Sequence, residues 1–373
     1  MKVALSKPSI TNKELSLISN SLKSNWLTHG PNNIKFEHKF SQLLNVKYSI
    51  SMNSCTSALE CALKLLKKKG EVIIPSWTWV STGNVVLNTG NIPVFADVDI
   101  NTRNITADEV KKKITKKTVA VIAVHYAGLM CEMDKIKKLT NKYKLLLIED
   151  SAECLGGTLN KKFSGTYGVG CFSFFPTKNI TTTEGGMLTT NSRKDFNFVK
   201  KLIAHGIDKG LKKKPWHRIA SLAGHNFRMP NHLAALGLSQ LKKLKKFNKT
   251  RKKIAKNYDE FFLNYSKIFT TQKIEKKYYH SYQMYSVLVK KELRDDLINF
   301  LNKNKIEASC HFDPPLHQQK YLSKYNKKNL KNTEFLSKRI ITLPIYPDLK
   351  KSELNYTFNK IKKWIEIKNT NEK

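Results

Sequence analysis

Short apolar runs alternate along this chain with stretches whose apolar residues recur at helical spacing. Tyr48–Met52, Glu71–Pro75, Ile92–Asp99, Val119–Val124, Leu145–Ile148, Cys171–Phe175 and Met187–Thr190 are bounded by polar or turn-forming residues. Runs of this kind mark buried strands. Between them the spacing predicts helices over 11–23, 36–44, 58–66, 107–114 and 133–143. Strand–helix alternation through residue 190 argues an α/β fold, a doubly wound sheet of mostly parallel strands. From His232 to Tyr265 the rhythm predicts one long helix or a kinked pair, through Leu233, Leu244, Ile254, Tyr258 and Phe262. Beyond it, Tyr282–Val289 and Ile306–Phe312 read as strands, with helices over 291–304 and 354–365. Leu343–Pro347 reads as a rigid turn. The expected organisation is an N-terminal arm and large domain over 1–245, and a smaller C-terminal α+β domain over 246–373. Segment 206–223, rich in Gly and Lys, reads as a long loop.

Reactive groups in open α/β sheets gather at the carboxyl ends of strands. Asp150 ends one apolar run and Lys178 follows another. A lysine amine forms an imine with an aldehyde cofactor, and a buried carboxylate keeps a pyridine nitrogen protonated. Pyridoxal phosphate needs both groups. A lysine in so lysine-rich a chain is ordinarily a surface residue. Lys178 stands out by its setting, between an aromatic strand and a Thr/Gly-rich turn. The turn Asn53–Ser57 joins a strand to a helix start, where free N–H groups and the helix dipole favour an anion. Ser54 and Thr56 read equally well as helix caps. His125, at a strand end, is expected in the cleft rather than the core.

Composition narrows the classes. The 373 residues are 40% hydrophobic and 10% aromatic, which suits a folded globular protein. No apolar run approaches the ~18–20 residues of a membrane span, and the start MKVALSKPSITNKE lacks a signal peptide's apolar core. A cytoplasmic protein without a membrane partner is expected. The six cysteines show no metal-type spacing with His, so no metal site is expected. The net charge of +38 would by itself suit a basic nucleic-acid-binding protein. The lysines are spread through nearly every helix and loop, however, and no basic stripe with interleaved aromatics stands out. No nucleic-acid partner is expected, though the positive field favours anionic ligands.

The stretches PSWTWVSTGNVV, PVFADVD, VHYAG, IEDSAECLG, CFSFFPTKNITTTEGGM, GHNFRMPNHLAALGLSQL and LPIYPDL resemble the DegT-type nucleotide-sugar aminotransferases. These are pyridoxal-phosphate-dependent enzymes of fold type I, and the resemblance covers nearly the whole chain. It implies the cofactor on Lys178, Asp150 at the pyridine nitrogen, and Trp79 rather than Trp77 stacked on the ring. Glu153 is placed near the phenolic oxygen, and Thr56, Ser57 and Ser173 on the phosphate. Asn226 is implied to reach the phosphate of a second copy, which makes a homodimer with shared sites. Thr28 and His317 are implied beside the substrate. Phe175 stands where many relatives have His. The implied reaction moves an amino group from an amino acid, L-glutamate by analogy, to a keto group of a nucleotide-linked sugar for amino-sugar and polysaccharide biosynthesis. A 4-keto-6-deoxyhexose is the expected acceptor, and a 3-keto sugar the alternative. Relatives with His in place of the lysine dehydrate sugars. Lys178 argues against that branch, and against a non-catalytic regulator on the same fold.

Overall fold

The computed structural model describes residues 1–326 and 329–371. Helices α1 (Asn12–Lys23) and α2 (Pro31–Leu44) come first. Then follow β1 (Tyr48–Met52), α3 (Cys55–Leu63), β2 (Glu71–Pro75), α4 (Val80–Asn88), β3 (Ile92–Ala96) and α5 (Ala107–Lys111). Next are β4 (Thr118–Val124), α6 (Met133–Lys142) and β5 (Leu146–Asp150), and a small hairpin of β6 (Thr158–Leu159) and β7 (Lys162–Phe163). Strands β8 (Val169–Ser173) and β9 (Gly186–Thr190) precede α7 (Arg193–Leu202) and α8 (Asn231–Leu263). The C-terminal part holds β10 (Phe269–Thr270), β11 (Tyr278–Tyr279), β12 (Tyr285–Val289), α9 (Arg294–Lys303), α10 (Lys331–Ser337), β13 (Ile340–Leu343) and α11 (Lys351–Asn371).

Seven strands form one sheet in the order β1-β9-β8-β5-β4-β2-β3. The five from β8 to β3 are parallel, and β9 is antiparallel to both β8 and β1. Strand β4, TVAVIAV, is buried at every position, as a strand covered on both faces must be. Alternate residues feed two different cores. Ile74, Ile122 and Ile148 join the cluster around Leu59, while Ile73, Val121 and Leu147 join the cluster around Ile136. Each such side chain contributes about 1.5–3 kcal/mol on burial. The period of two therefore commits the sheet to helices on both sides.

Helix α8 runs unbroken for 33 residues, which settles the long-helix question against a kinked pair. Its Leu244 and Phe247 pack with Phe36, Phe40, Phe172 and Phe174 beside the large sheet. Its Ile254, Tyr258 and Phe262 belong to a separate core with Val287, Ile341 and Trp364. The smaller sheet is β10-β12-β13.

Two C-terminal expectations are corrected. Ile306–Phe312 is not a strand. It makes only single bridges, Val3 with Ile306 and Ser309 with Thr342. The Asn302 side chain takes both the N–H and the C=O of Ala308, which removes them from any ladder. The edge pairing with β12 is made instead by Ile340–Leu343, so the rigid turn begins only after Leu343. Among the described residues no helix is long and apolar enough to cross a membrane, and no cluster of His, Cys, Asp and Glu could hold a metal.

Candidate active site

Strand β5 ends on Asp150, which is 5% exposed. Its Oδ2 accepts the Thr82 hydroxyl at 3.0 Å and its Oδ1 the Ala152 N–H at 3.2 Å. Burial pushes the Asp150 carboxyl up, and these two hydrogen bonds pull the other way. A cation placed against it would favour the ionised form.

Strand β8 ends on Ser173, whose Oγ accepts the Phe175 N–H at 3.3 Å. The chain then turns, with Lys178 N–H donating to Phe175 O at 2.9 Å. The Lys178 side chain is 17% exposed, and its Nζ lies 3.5 Å from Glu153 Oε1. The other Glu153 oxygen accepts the Ala127 N–H at 2.8 Å. Asp150, Glu153, Ser173 and Lys178 line one cleft of about 370 Å³.

The same cleft is bordered by the start of α3. Ser54 caps this helix, its Oγ accepting the Ser57 N–H at 3.1 Å. The first-turn N–H groups of Cys55 and Thr56 have no acceptor within the helix and face the turn. Thr56 is exposed at the cleft edge. Ser57 is a correction to the sequence reading. Its hydroxyl donates to Asn53 Oδ1 at 2.6 Å, and the residue is buried rather than cleft-lining. The capping reading held for Ser54 and fails for Thr56. Gly186 permits this arrangement, because a Cβ there would lie 2.3 Å from the Ser54 carbonyl carbon.

The two tryptophans occupy different environments. Trp79 is 60% exposed and lines the cleft, its ring 6.2 Å from that of Phe312. Trp77 is 1% exposed and packs against Tyr126 and Phe312. Phe175 also lines the cleft and is partly open to solvent. Thr28 and Asn226 are exposed and lie outside the cleft of their own chain. Asn226 Oδ1 accepts from the Arg228 guanidinium.

Two histidines leave the site. His317 is 2% exposed and does not line the cleft. Its Nδ1 lies 2.6 Å from Ser76 Oγ and its Nε2 3.3 Å from Glu334 Oε1, which makes it a buried brace. His125 is fully buried, with Nε2 3.2 Å from Glu149 Oε2 and Nδ1 accepting the Cys131 N–H. It serves the core, not the cleft.

Sequence reasoning missed Thr82, His311 and Gln283. Thr82 lies in the first turn of α4 after the strand-end tryptophan, a position that could have been flagged. His311 lines the cleft with Nδ1 2.9 Å from Thr342 Oγ1, and burial pushes its imidazole down. Gln283 Nε2 donates to Thr177 O at 2.9 Å. Both come from the C-terminal part, and no local pattern announced them.

The donor set fits pyridoxal phosphate. Free N–H groups at a helix start, with the hydroxyls of Thr56 and Ser173, suit a phosphate. A buried carboxylate suits a pyridinium, an exposed indole face a flat ring, and a lysine in the same cleft an aldehyde. The family model described as the DegT/DnrJ/EryC1/StrS aminotransferase family matches residues 8–362. The chain is 34% identical to the GDP-perosamine synthase of Escherichia coli O157:H7, over 94% of this chain and 95% of that protein. Among solved structures it is similar to Helicobacter pylori PseC, an aminotransferase involved in the biosynthesis of pseudoaminic acid. That match has a TM-score of 0.92 and 30% identity, over 97% of this chain and 99% of the other. It is similar also to the PLP form of Spr1654 from Streptococcus pneumoniae, with a TM-score of 0.90 and 26% identity, over 96% of this chain and 97% of the other.

Proposed function

The chain belongs to the DegT/DnrJ/EryC1/StrS aminotransferase family, and on that premise we propose that it moves an amino group from L-glutamate to the 4-keto group of a nucleotide-linked 6-deoxyhexose. It is a pyridoxal-phosphate-dependent sugar aminotransferase. The finer terms are the donor, the position of the keto group and the nucleotide sugar. The nucleotide-sugar term is supported by the relative named a GDP-perosamine synthase, while the donor and the keto position rest on the resemblance to the family. The positive field of the chain, +38 formally, favours such an anionic substrate.

One observation carries the reading: Lys178 and the buried Asp150 carboxylate share a single cleft at the carboxyl ends of neighbouring strands. When bound, the cofactor supplies an aldehyde that takes up the amino group and a ring that draws electrons from the reacting carbon. Lys178 would hold the cofactor through its side-chain amine, and the same amine is placed to carry the proton at the reacting carbon. Asp150 would hold the pyridine nitrogen of the cofactor in its protonated form. Thr56, Ser173 and the N–H groups opening α3 hold the phosphate. Trp79 would offer its indole face to the flat ring, and Glu153, 3.5 Å from Lys178 Nζ, would keep that amine in the cleft.

We also propose a homodimer with shared sites. Asn226, exposed outside its own cleft, would reach the partner's phosphate, and Thr28 would border the substrate across the same interface. The exposed Trp26, Leu27, Ile34 and Trp216 support a covered surface. The boundary between a large and a small unit is proposed within α8 near residue 245, where its contacts pass from one core to the other. Six unpaired thiols support a reducing compartment, the cytoplasm.

The test is an absorbance spectrum with pyridoxal phosphate before and after glutamate, followed by amination of 4-keto and 3-keto nucleotide sugars. A cofactor band that converts to the pyridoxamine form, followed by 4-keto turnover, is expected. Turnover of a 3-keto sugar alone moves the position. Absence of any band ends the reading.

A further inference from the structure

The turn that carries Lys178 is held from behind on three successive residues. Gln283 Nε2 donates to Thr177 O at 2.9 Å. Asn179 Nδ2 donates to Asn248 Oδ1 at 2.8 Å and to Ser281 O at 3.1 Å. Arg251 lies one turn beyond Asn248 on α8. Its Nη2 reaches Lys178 O and its Nη1 reaches Asn179 O, each at 3.5 Å.

Arg251 is costly to keep there. The residue is 2% exposed, and burial pushes its guanidinium down to about 10. Asp348 is the acidic group that acts on it, and no carboxylate is in ion-pair contact with it among the described residues. A buried cation without a paired anion depends on hydrogen bonds to offset its lost hydration. Two buried atoms beside it have no protein partner, Arg251 Nε and Asn179 Oδ1. One donates and the other accepts. Both residues line a cavity of about 10 Å³ behind Lys178, the room that one water needs.

We propose that Arg251 is a positioning residue for Lys178, fixing the lysine turn through the Lys178 and Asn179 carbonyls and through one water shared with Asn179. The rate readout of this proposal rests on the aminotransferase reading, whereas its exchange readout does not. The fork geometry is what matters, since Arg and Lys differ in reach and in the number of fixed donors. The α8 segment beyond Arg251 belongs to the C-terminal core, through Ile254 and Tyr258. Arg251 thus ties the lysine turn to that core.

The test uses full-length Arg251→Met and Arg251→Lys. In the cofactor-free protein, amide exchange over 174–182 is expected to be at least about tenfold faster in Arg251→Met, with β4 and β5 as protected as in wild type. In the loaded protein, single-turnover conversion with glutamate is expected to slow about 10–100-fold with the donor KM within about threefold, the signature of misplacement. Arg251→Lys should recover part of both. Wild-type exchange together with a wild-type rate in Arg251→Met overturns the proposal. So does faster exchange spread evenly over the chain, which would mark a purely structural role. If Arg251→Met does not fold, Arg251→Lys decides on the same two readouts. A wild-type protein inert toward every amino donor would sink the functional reading and leave the exchange result to judge Arg251.

Discussion

Lys178 Nζ lies 3.5 Å from Glu153 Oε1, and the opposite oxygen of that carboxylate is pinned by the Ala127 N–H at 2.8 Å. The amine is therefore held by a group that is itself fixed to the backbone after β4. Lys178→Ala should fold normally, because the side chain lines the cleft and its polar partner there is the Glu153 carboxylate. It should lose the covalently held cofactor on gel filtration, and turnover should fall by about 10²–10⁴-fold or more, as for loss of a general base. A cofactor band that survives in this variant would assign the anchoring role to another lysine.

Asp150 makes a prediction with a definite sign. Burial raises its carboxyl above the ordinary range in the cofactor-free protein. The folded state then binds more protons than the unfolded one, so this group costs stability as pH rises from about 3.9 through the folded value. Asp150→Asn removes that cost. The cofactor-free variant should melt no lower than wild type at pH 7, and the gap in its favour should shrink toward pH 4. Its half-reaction with glutamate should nonetheless slow by at least about 10²-fold, since an amide cannot hold the pyridinium charge. Thermal scans across pH and a stopped-flow trace check both halves.

The strand ends that carry Asp150 and Lys178 were legible because a polar residue just after a buried run must emerge at the sheet's edge. The same rule misplaced His125. Adjacent residues of a strand face opposite sides, and Glu149, one residue before Asp150, points into the core. There it accepts N–H groups of Gly165, Tyr167 and Gly168 at 2.6–2.9 Å, and His125 completes its shell. Nothing local announces a partner 24 residues away. His317 failed for the same reason, since Ser76 lies 241 residues from it in sequence. Ser57 failed on phase. One residue along a helix turns the side chain by about 100°, which separates the exposed Thr56 from the buried Ser57.

Glu14 offers a stability test away from the cleft. It is fully buried at the α1–α8 contact, 2.5 Å from Lys243 Nζ and 2.7 Å from Ser239 Oγ. Burial opposes its charge, yet Lys243, Thr11 and Ser239 outweigh it and hold the carboxyl down to about 2. A depressed folded value stabilises above the unfolded value and is lost as pH falls toward the folded one. Glu14→Gln should cost about 3 kcal/mol at pH 7, the low end for a broken buried pair because Lys243 is partly exposed. The difference from wild type should narrow steadily below pH 4 and nearly vanish by about pH 2. Urea titrations at pH 7 and at pH 3 would show it. A gap independent of pH would mean that packing, not charge, holds the contact.

Gly186 tests whether the start of α3 is the phosphate site. The residue pairs with Met52 on β1 and with Ser173 on β8, so it sits between the two strands that deliver the proposed phosphate ligands. A methyl there would meet the Ser54 carbonyl carbon, the Ser54 oxygen and the Cys55 nitrogen at 2.3–2.5 Å. All three are backbone atoms, so the turn must shift as a whole rather than a side chain swing aside. Gly186→Ala should weaken pyridoxal phosphate binding by at least about tenfold, because the N–H groups that open α3 would no longer converge on one anion. Ser54→Ala removes only the cap and should cost about 1 kcal/mol of stability, with a smaller loss of affinity. Fluorescence titration with pyridoxal phosphate separates the two. Wild-type affinity in a folded Gly186→Ala would place the phosphate elsewhere in the cleft and leave Ser173 as its remaining candidate.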